Sequence, residues 1–377
     1  MAAAPAGIGG TQKRSVRPRT GLLVFVLAVP ALLQGAAALA DARGGIFYER
    51  IFGPEIPGEY KHPASIAELD TGDLYLAYYG GSGEYGMDTK VYGARLSPGA
   101  AQWTAPEPIA DTPWRSEGNP VVFQAPGGLV WLFYVVRYGD TWSDSRIHAK
   151  ISEDGAKTWS DSMLIADEKG MMVRGKPLVL NNGDYLLPVY HETGHDRERV
   201  GSDTVSFFLR YDPKTRVWSE SSRIRSRTGN LQPAPAQVTD DYLLCFCRRG
   251  GGYEPVTDGF VVRSESHDGG RTWSEGVDTE FPNPNAAVDL LKLQNGHLLL
   301  VYNDSMTDRT PLTVALSTDD GETWPFKRDI ATGPLDYAYP YAIQARDGKI
   351  HLVYTSHERT VVNRAVFEES ALREAPK

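Results

Sequence analysis

The chain has 377 residues, 41% of them hydrophobic and 10% aromatic, and its 39 Lys and Arg against 48 Asp and Glu leave a formal net charge of -9. That balance excludes nucleic acid or an anionic membrane surface as the main partner, while the apolar share is enough for a substantial core. Two cysteines in the whole chain exclude a framework of disulfides.

The first forty residues stand apart. Lys13, Arg14, Arg17 and Arg19 precede an apolar run from Gly21 to Leu33, and Ala38-Leu39-Ala40 offers a small-residue cleavage site before Asp41. Residues 1–40 therefore read as a secretory signal peptide. A secreted or periplasmic protein is expected, off the membrane once the signal is cut. Apolar residues continue to Ala40, which keeps an uncleaved N-terminal anchor as the alternative.

Residues 41–377 read as one repeated structure. Gly72-Asp-Leu-Tyr-Leu-Ala-Tyr-Tyr pairs a turn signal with a half-apolar strand, and counterparts begin at Gly128, Gly183, Asp241, Gly296 and Gly348. Each interval is long enough for about four short strands, which is one propeller blade. Six copies predict an all-β, six-bladed β-propeller of four-stranded antiparallel blades. Ile46-Phe-Tyr-Glu-Arg-Ile51 precedes the first copy with strand length and is expected to complete the last blade and close the ring.

Most copies begin with a polar residue and a proline: His62-Pro63, Asn119-Pro120, Lys176-Pro177, Gln232-Pro233 and Tyr339-Pro340. Proline at the start of an inner strand removes no donor that the ladder needs. The pre-proline side chains are expected to ring one mouth of the central channel. Blade five is irregular, with Asn283-Pro284-Asn285 placed further upstream.

A second pattern recurs three times: Ser152-Glu-Asp-Gly-Ala-Lys-Thr-Trp159, Ser266-His-Asp-Gly-Gly-Arg-Thr-Trp273 and Ser317-Thr-Asp-Asp-Gly-Glu-Thr-Trp324. Asp and Gly supply turn chemistry, and Trp packs back into the sheet. These are expected at outer-strand turns, far from the chemistry. Cys245 and Cys247, two apart on one strand, are expected as free thiols. The eight His are scattered, so no metal site and no cofactor are expected.

The three boxes, with His62-Pro-Ala-Ser, Gly118-Asn-Pro, Arg174-Gly-Lys-Pro, Asn230-Leu-Gln-Pro and Asn283-Pro-Asn, resemble the sialidase superfamily over nearly the whole mature chain. That resemblance implies a Tyr nucleophile activated by a Glu, an Asp acid/base on a loop, and three Arg that clamp a substrate carboxylate. Carried over, Tyr339 is the nucleophile, with Tyr337 the nearby alternative, Asp88 the acid/base, and Arg248 and Arg309 two of the clamp arginines. A neutral phenol approaches a carboxylate-bearing anomeric carbon with less repulsion than a carboxylate nucleophile, and guanidinium forks match the acid group.

Two positions depart from that pattern. Lys61 or His62 stands where the first clamp arginine is expected, and a Lys keeps the charge but loses the fork. Gln232 stands where the activating Glu is expected, and an amide cannot take a proton. Glu84, Glu117, Arg174, Lys176 and His191-Glu192 are the charges that could compensate, with Glu192 a candidate for the acid/base work and Glu84, Arg174 and Lys176 for binding. The leading expectation is a secreted exo-glycosidase that cuts a terminal sialic or related keto-acid sugar from an acidic glycan. A polysaccharide lyase acting on uronic-acid glycans and a non-catalytic propeller that binds acidic glycans are the alternatives.

Overall fold

In the computed structural model, residues 40–197 and 199–373 are described, and their strands build six antiparallel sheets. Nearly all of the leader expected over residues 1–40 lies outside them. Blade one runs Tyr60–Glu68, Leu74–Gly81, Lys90–Leu96 and Glu107–Ala110 from the axis outward, and blade two Ser116–Gln124, Val130–Arg137, Ser145–Ser152 and Met163–Ala166. In blade three the innermost position is shared by Met171–Val173 and Leu178–Val179, both paired to Tyr185–His191. The second strands, such as Leu74–Gly81 and Leu243–Arg249, are buried along their whole length. Each blade is covered on both faces by its neighbours, which is why these strands read as almost unbroken apolar runs.

The expected ring closure is present. Ile46–Phe52 pairs with Val361–Phe367, outside Ile350–Ser356 and Ala338–Gln344, so the last blade is assembled from both ends of the described chain. Ala40–Arg43 adds a further strand at its outer edge.

The three Asp boxes turn the third strand of blades two, four and five into the fourth. Their mechanics are uniform. In the second box, Asp268 accepts from the Thr272 backbone N–H at 2.9 Å and from its hydroxyl at 2.6 Å, while Ser266 donates to Asp268 at 2.9 Å. An arginine of the preceding blade reaches each turn's glycine carbonyl: Arg95 to Gly155, Arg210 to Gly269, and Arg263 to Gly321. The boxes are staples between blades at the rim. Cys245 and Cys247 are buried free thiols, their sulfurs 3.7 Å apart on one face of a strand.

At the axis, the inner strands of blades one, two, four and six slip register across their X-Pro pairs, between His62 and Ala64, Gly118 and Val121, Leu231 and Ala234, and Ala338 and Tyr341. Proline has no N–H for the ladder, so the extra residue becomes a bulge and the side chain before it is re-aimed. Asn119, Gln232 and Tyr339 accordingly hold positive φ of 47, 54 and 54 degrees. Such backbone costs of order 1–3 kcal/mol per residue and persists only where packing over-determines it. In blade five the equivalent position is Asn285, at φ 58 degrees, without a proline after it.

Candidate active site

Four of these re-aimed side chains, His62, Asn119, Gln232 and Tyr339, line one small chamber at the channel mouth. Tyr339 is its centre. Its hydroxyl accepts from Arg248 Nη1 at 2.9 Å and from Gln232 Nε2 at 3.4 Å. Burial alone would raise this phenol, but Arg248, Arg309 and Arg359 outweigh it and bring it below the usual tyrosine range. Gln232 also accepts from Arg248 Nη1 at 3.3 Å, so the neutral amide bridges nucleophile and cation without adding a negative charge.

His62 stands edge-on to Tyr339, ring centroids 4.0 Å apart. Burial holds its imidazole well below the usual histidine range, with the surrounding arginines acting in the same direction. Thr355 donates its hydroxyl to the Ala338 carbonyl, so it accepts from His62 Nδ1–H at 3.0 Å. The opposite nitrogen, Nε2, is left as a buried, unpartnered lone-pair acceptor.

Arg248 and Arg309 converge as the sequence led us to expect. Their guanidinium carbons lie 5.9 and 5.6 Å from the centre of the Tyr339 ring. Arg309 Nη1 is buried with no partner, an open donor on the clamp. The third cation is Arg359, which sequence reasoning missed. It is delivered by the turn between Ile350–Ser356 and Val361–Phe367, where His357, Glu358 and Arg359 all hold left-handed backbone, with φ of 52, 53 and 66 degrees. Nothing in Ser356-His-Glu-Arg-Thr360 announces such a turn, because the glycine that usually supplies positive φ is absent.

Lys61 does not reach the clamp. Strand alternation turns it away from His62, and its ammonium donates to the carbonyls of Ile56, at 2.9 Å, and of Gly58 and Glu59. Burial lowers it to about 8. Arg174 and Lys176 also differ from expectation. Arg174 lies beneath Tyr339 and donates to the Pro340 carbonyl at 2.5 Å, while Lys176 pairs with Asp289 at 3.1 Å beside the Tyr341 ring. Lys176 is taken up by Asp289, whereas Arg174 keeps its buried Nε without a partner beside the Tyr339 ring.

Of the carboxylates, Glu84 and Glu192 face the chamber. Burial pushes Glu192 up to about 7, Glu84 acts in the same direction, and Arg248 opposes them. Glu84 accepts from Arg359 at 2.6 Å, from the Tyr60 hydroxyl at 3.0 Å and from Trp142 Nε1 at 3.0 Å. Asp88 is on the same loop but outside the chamber. Its carboxylate closes a local turn by accepting from the Ser82 backbone and hydroxyl, on an exposed face with Lys90 and Tyr92. Glu117 is a buried structural acceptor for Thr112 and Val91.

Beyond the chamber lies a wider mouth of about 640 Å3, lined by Arg309, Arg359, Tyr253, Thr307, Pro284 and Leu335 among others. The site thus brings together a buried phenol whose pKa is lowered, arginines on either side of it, and a carboxyl pushed up to about 7 by burial.

Comparison with known proteins agrees with this architecture. The BNR repeat-like domain family matches residues 72–352. A sialidase of Micromonospora viridifaciens is 23% identical over 385 residues, covering 87% of this chain and 57% of that protein, so the chain spans little more than half its relative's length. Among solved structures, the Hadza microbial sialidase Hz136 superposes with a TM-score of 0.69 at 16% identity, over 83% of this chain and 66% of that one. An intramolecular trans-sialidase from Ruminococcus gnavus gives 0.68 at 14% identity, covering 86% and 98%. An α-L-arabinofuranosidase from Fusarium graminearum gives 0.63 at 13% identity, covering 90% and 100%. At these identities the structural likeness speaks for the fold alone. The family match, covering more than half of the chain, places it in the BNR repeat-like family of the sialidase superfamily.

Proposed function

We propose that the protein is an exported exo-glycosidase that removes a terminal acidic sugar, a sialic or related keto-acid residue, from glycans. The observation that supports this reading is the approach of Arg248 and Arg309 to the Tyr339 ring, at 5.9 and 5.6 Å, with one donor of Arg309 still open and Arg359 nearby in an ion pair with Glu84. Planar guanidinium groups match a carboxylate bidentately, and a neutral sugar has no use for three of them.

In the proposed reaction Tyr339 first loses its proton to solvent, its phenolate Oη bonds to the anomeric carbon as the glycosidic C–O bond breaks, and protonated Glu192 gives its proton to the leaving oxygen. Water then hydrolyses the tyrosyl-sugar bond, with Glu192 taking the proton back. Gln232 cannot deprotonate Tyr339. The phenol is instead prepared by charge, because an amide adds no further negative charge beside it to the opposition that burial and Glu84 already offer the arginines.

The test is release of 4-methylumbelliferone from sialic, keto-acid and uronic acid glycosides, with Tyr339→Phe alongside. Turnover of a keto-acid glycoside that is lost in the variant supports the reading; silence on all of them sinks it. The neutral amide at Gln232 favours one second reading, elimination from a uronic-acid glycan with the Tyr339 phenolate as base. An unsaturated, ultraviolet-absorbing product from such a glycan would identify it.

A further inference from the structure

The clamp is divided in the ligand-free protein. Tyr339 and Arg248 line only the inner chamber, whereas Arg309 and Arg359 line only the mouth. The chamber measures about 30 Å3, room for a water and not for a sugar ring. A ligand too large for the chamber reaches Tyr339 from the mouth only past the residues that the two spaces share.

Tyr253, Glu84 and Arg197 line both spaces and form that partition. Glu84 is fixed by Arg359, Tyr60 and Trp142, and Arg197 donates to the Asp140 carbonyl at 3.0 Å. Tyr253 is held differently. Its ring sits between Arg248 and Arg309, whose guanidinium carbons are 5.7 and 5.6 Å from its centre, and its hydroxyl accepts from Arg248 Nη2 at 3.0 Å. It remains 40% exposed and follows Gly250-Gly251-Gly252, a run whose base is pinned where Asn285 Nδ2 donates to the carbonyls of Gly251 and Gly252. The base is anchored by Asn285, and the exposed ring is held only by its contacts with the two arginines.

Resting on the glycosidase reading, we propose that Tyr253 is a specificity gate: its phenol occupies the substrate carboxylate's place on Arg248 and yields that place only to an anion. A sugar hydroxyl that displaces Tyr253 exchanges one neutral acceptor on the Arg248 guanidinium for another. A carboxylate gains a charge-assisted bond about twice as strong and brings Arg248 and Arg309 onto one ligand. Opening the gate joins chamber to mouth and exposes Tyr339.

The experiment reads the gate without any substrate. Tetranitromethane nitrates ionised tyrosines, and peptide mass spectrometry follows Tyr339 in wild type, Tyr253→Phe and Tyr253→Ala. Nitration of Tyr339 is expected to quicken roughly tenfold in the Ala variant and by less in the Phe variant, which loses only the hydrogen bond to Arg248. Equal rates in all three would overturn the gate. In parallel, the ratio of kcat/KM on an acidic glycoside to that on 4-nitrophenyl α-L-arabinofuranoside is expected to fall roughly tenfold in Tyr253→Ala; an unchanged ratio would overturn its selective role. Wild type inactive on every glycoside would count against the glycosidase reading instead, and nitration would still decide the gate.

Discussion

Arg248 donates to the Tyr339 hydroxyl at 2.9 Å while Gln232, not a carboxylate, fills the phenol's other side. Restoring the charge by Gln232→Glu places a carboxylate against the phenol and should raise the Tyr339 pKa by about 1 unit or more. Ultraviolet difference titration measures it, with Tyr339→Phe as the blank. A value unmoved or lowered would show that the arginines do not set this ionisation.

Arg359→Met should raise KM for an acidic glycoside by roughly 10- to 100-fold, the worth of a hydrogen bond to a charged group, and change kcat less. Lys61→Met is the control. Its ammonium holds only loop carbonyls, so it should lower the melting temperature and leave KM as it was. The opposite pattern would return the clamp to Lys61.

Glu192 governs a pH limb. As proton donor it must be protonated, so kcat/KM should fall as pH rises through about 7, and Glu192→Gln should abolish that limb with most of the activity. Stability follows the same group. A carboxyl whose folded pKa exceeds its ordinary 4.5 contributes its stability below that value and loses it as pH climbs to about 7. At pH 8, after allowance for partial exposure, Glu192→Gln should therefore be the more stable protein by about 1–2 kcal/mol. Thermal melts at pH 4 and pH 8 measure the difference, and a wild type stabler at pH 8 would reverse the assignment.

The Asp boxes predict a dissociation of stability from chemistry. Asp268→Ala removes acceptors for Thr272 and Ser266 at the rim and should cost about 1–3 kcal/mol in denaturant unfolding. The kcat/KM of the folded fraction should stay at the wild-type value. A fall in kcat/KM without loss of stability would put the boxes in the chemistry after all.

The architecture was legible because its signals are local. A turn pair before an apolar strand, and Ser-x-Asp-x-Gly-x-Thr-Trp after one, each describe a few consecutive residues, and the ring multiplies them. The neighbourhood of Tyr339, Gln232, Arg248 and Arg309 was expected from the resemblance to the sialidase superfamily, and the structure brings the four together. Asp88 and Glu84 show where spacing stops. They share one loop, and only the folded backbone turns Glu84 inward and closes Asp88 onto Ser82. Arg359 was beyond reach because three successive left-handed residues without glycine arise from tertiary packing, not from propensity. Tyr253 was hidden likewise, its meaning residing in two arginines that approach from different blades.

The closing strand carries a consequence for the order of events in making the protein. Ile46–Phe52 is synthesised before every inner strand of the ring, yet its partner Val361–Phe367 follows all of them. About 300 residues of loop must be closed before that pairing forms, the kind of long-range contact that folds slowly. Until then the nascent chain carries an unpaired edge at each end, open to capture by chaperones or by other copies of itself. The ring is thus closed only when two strands about 300 residues apart meet.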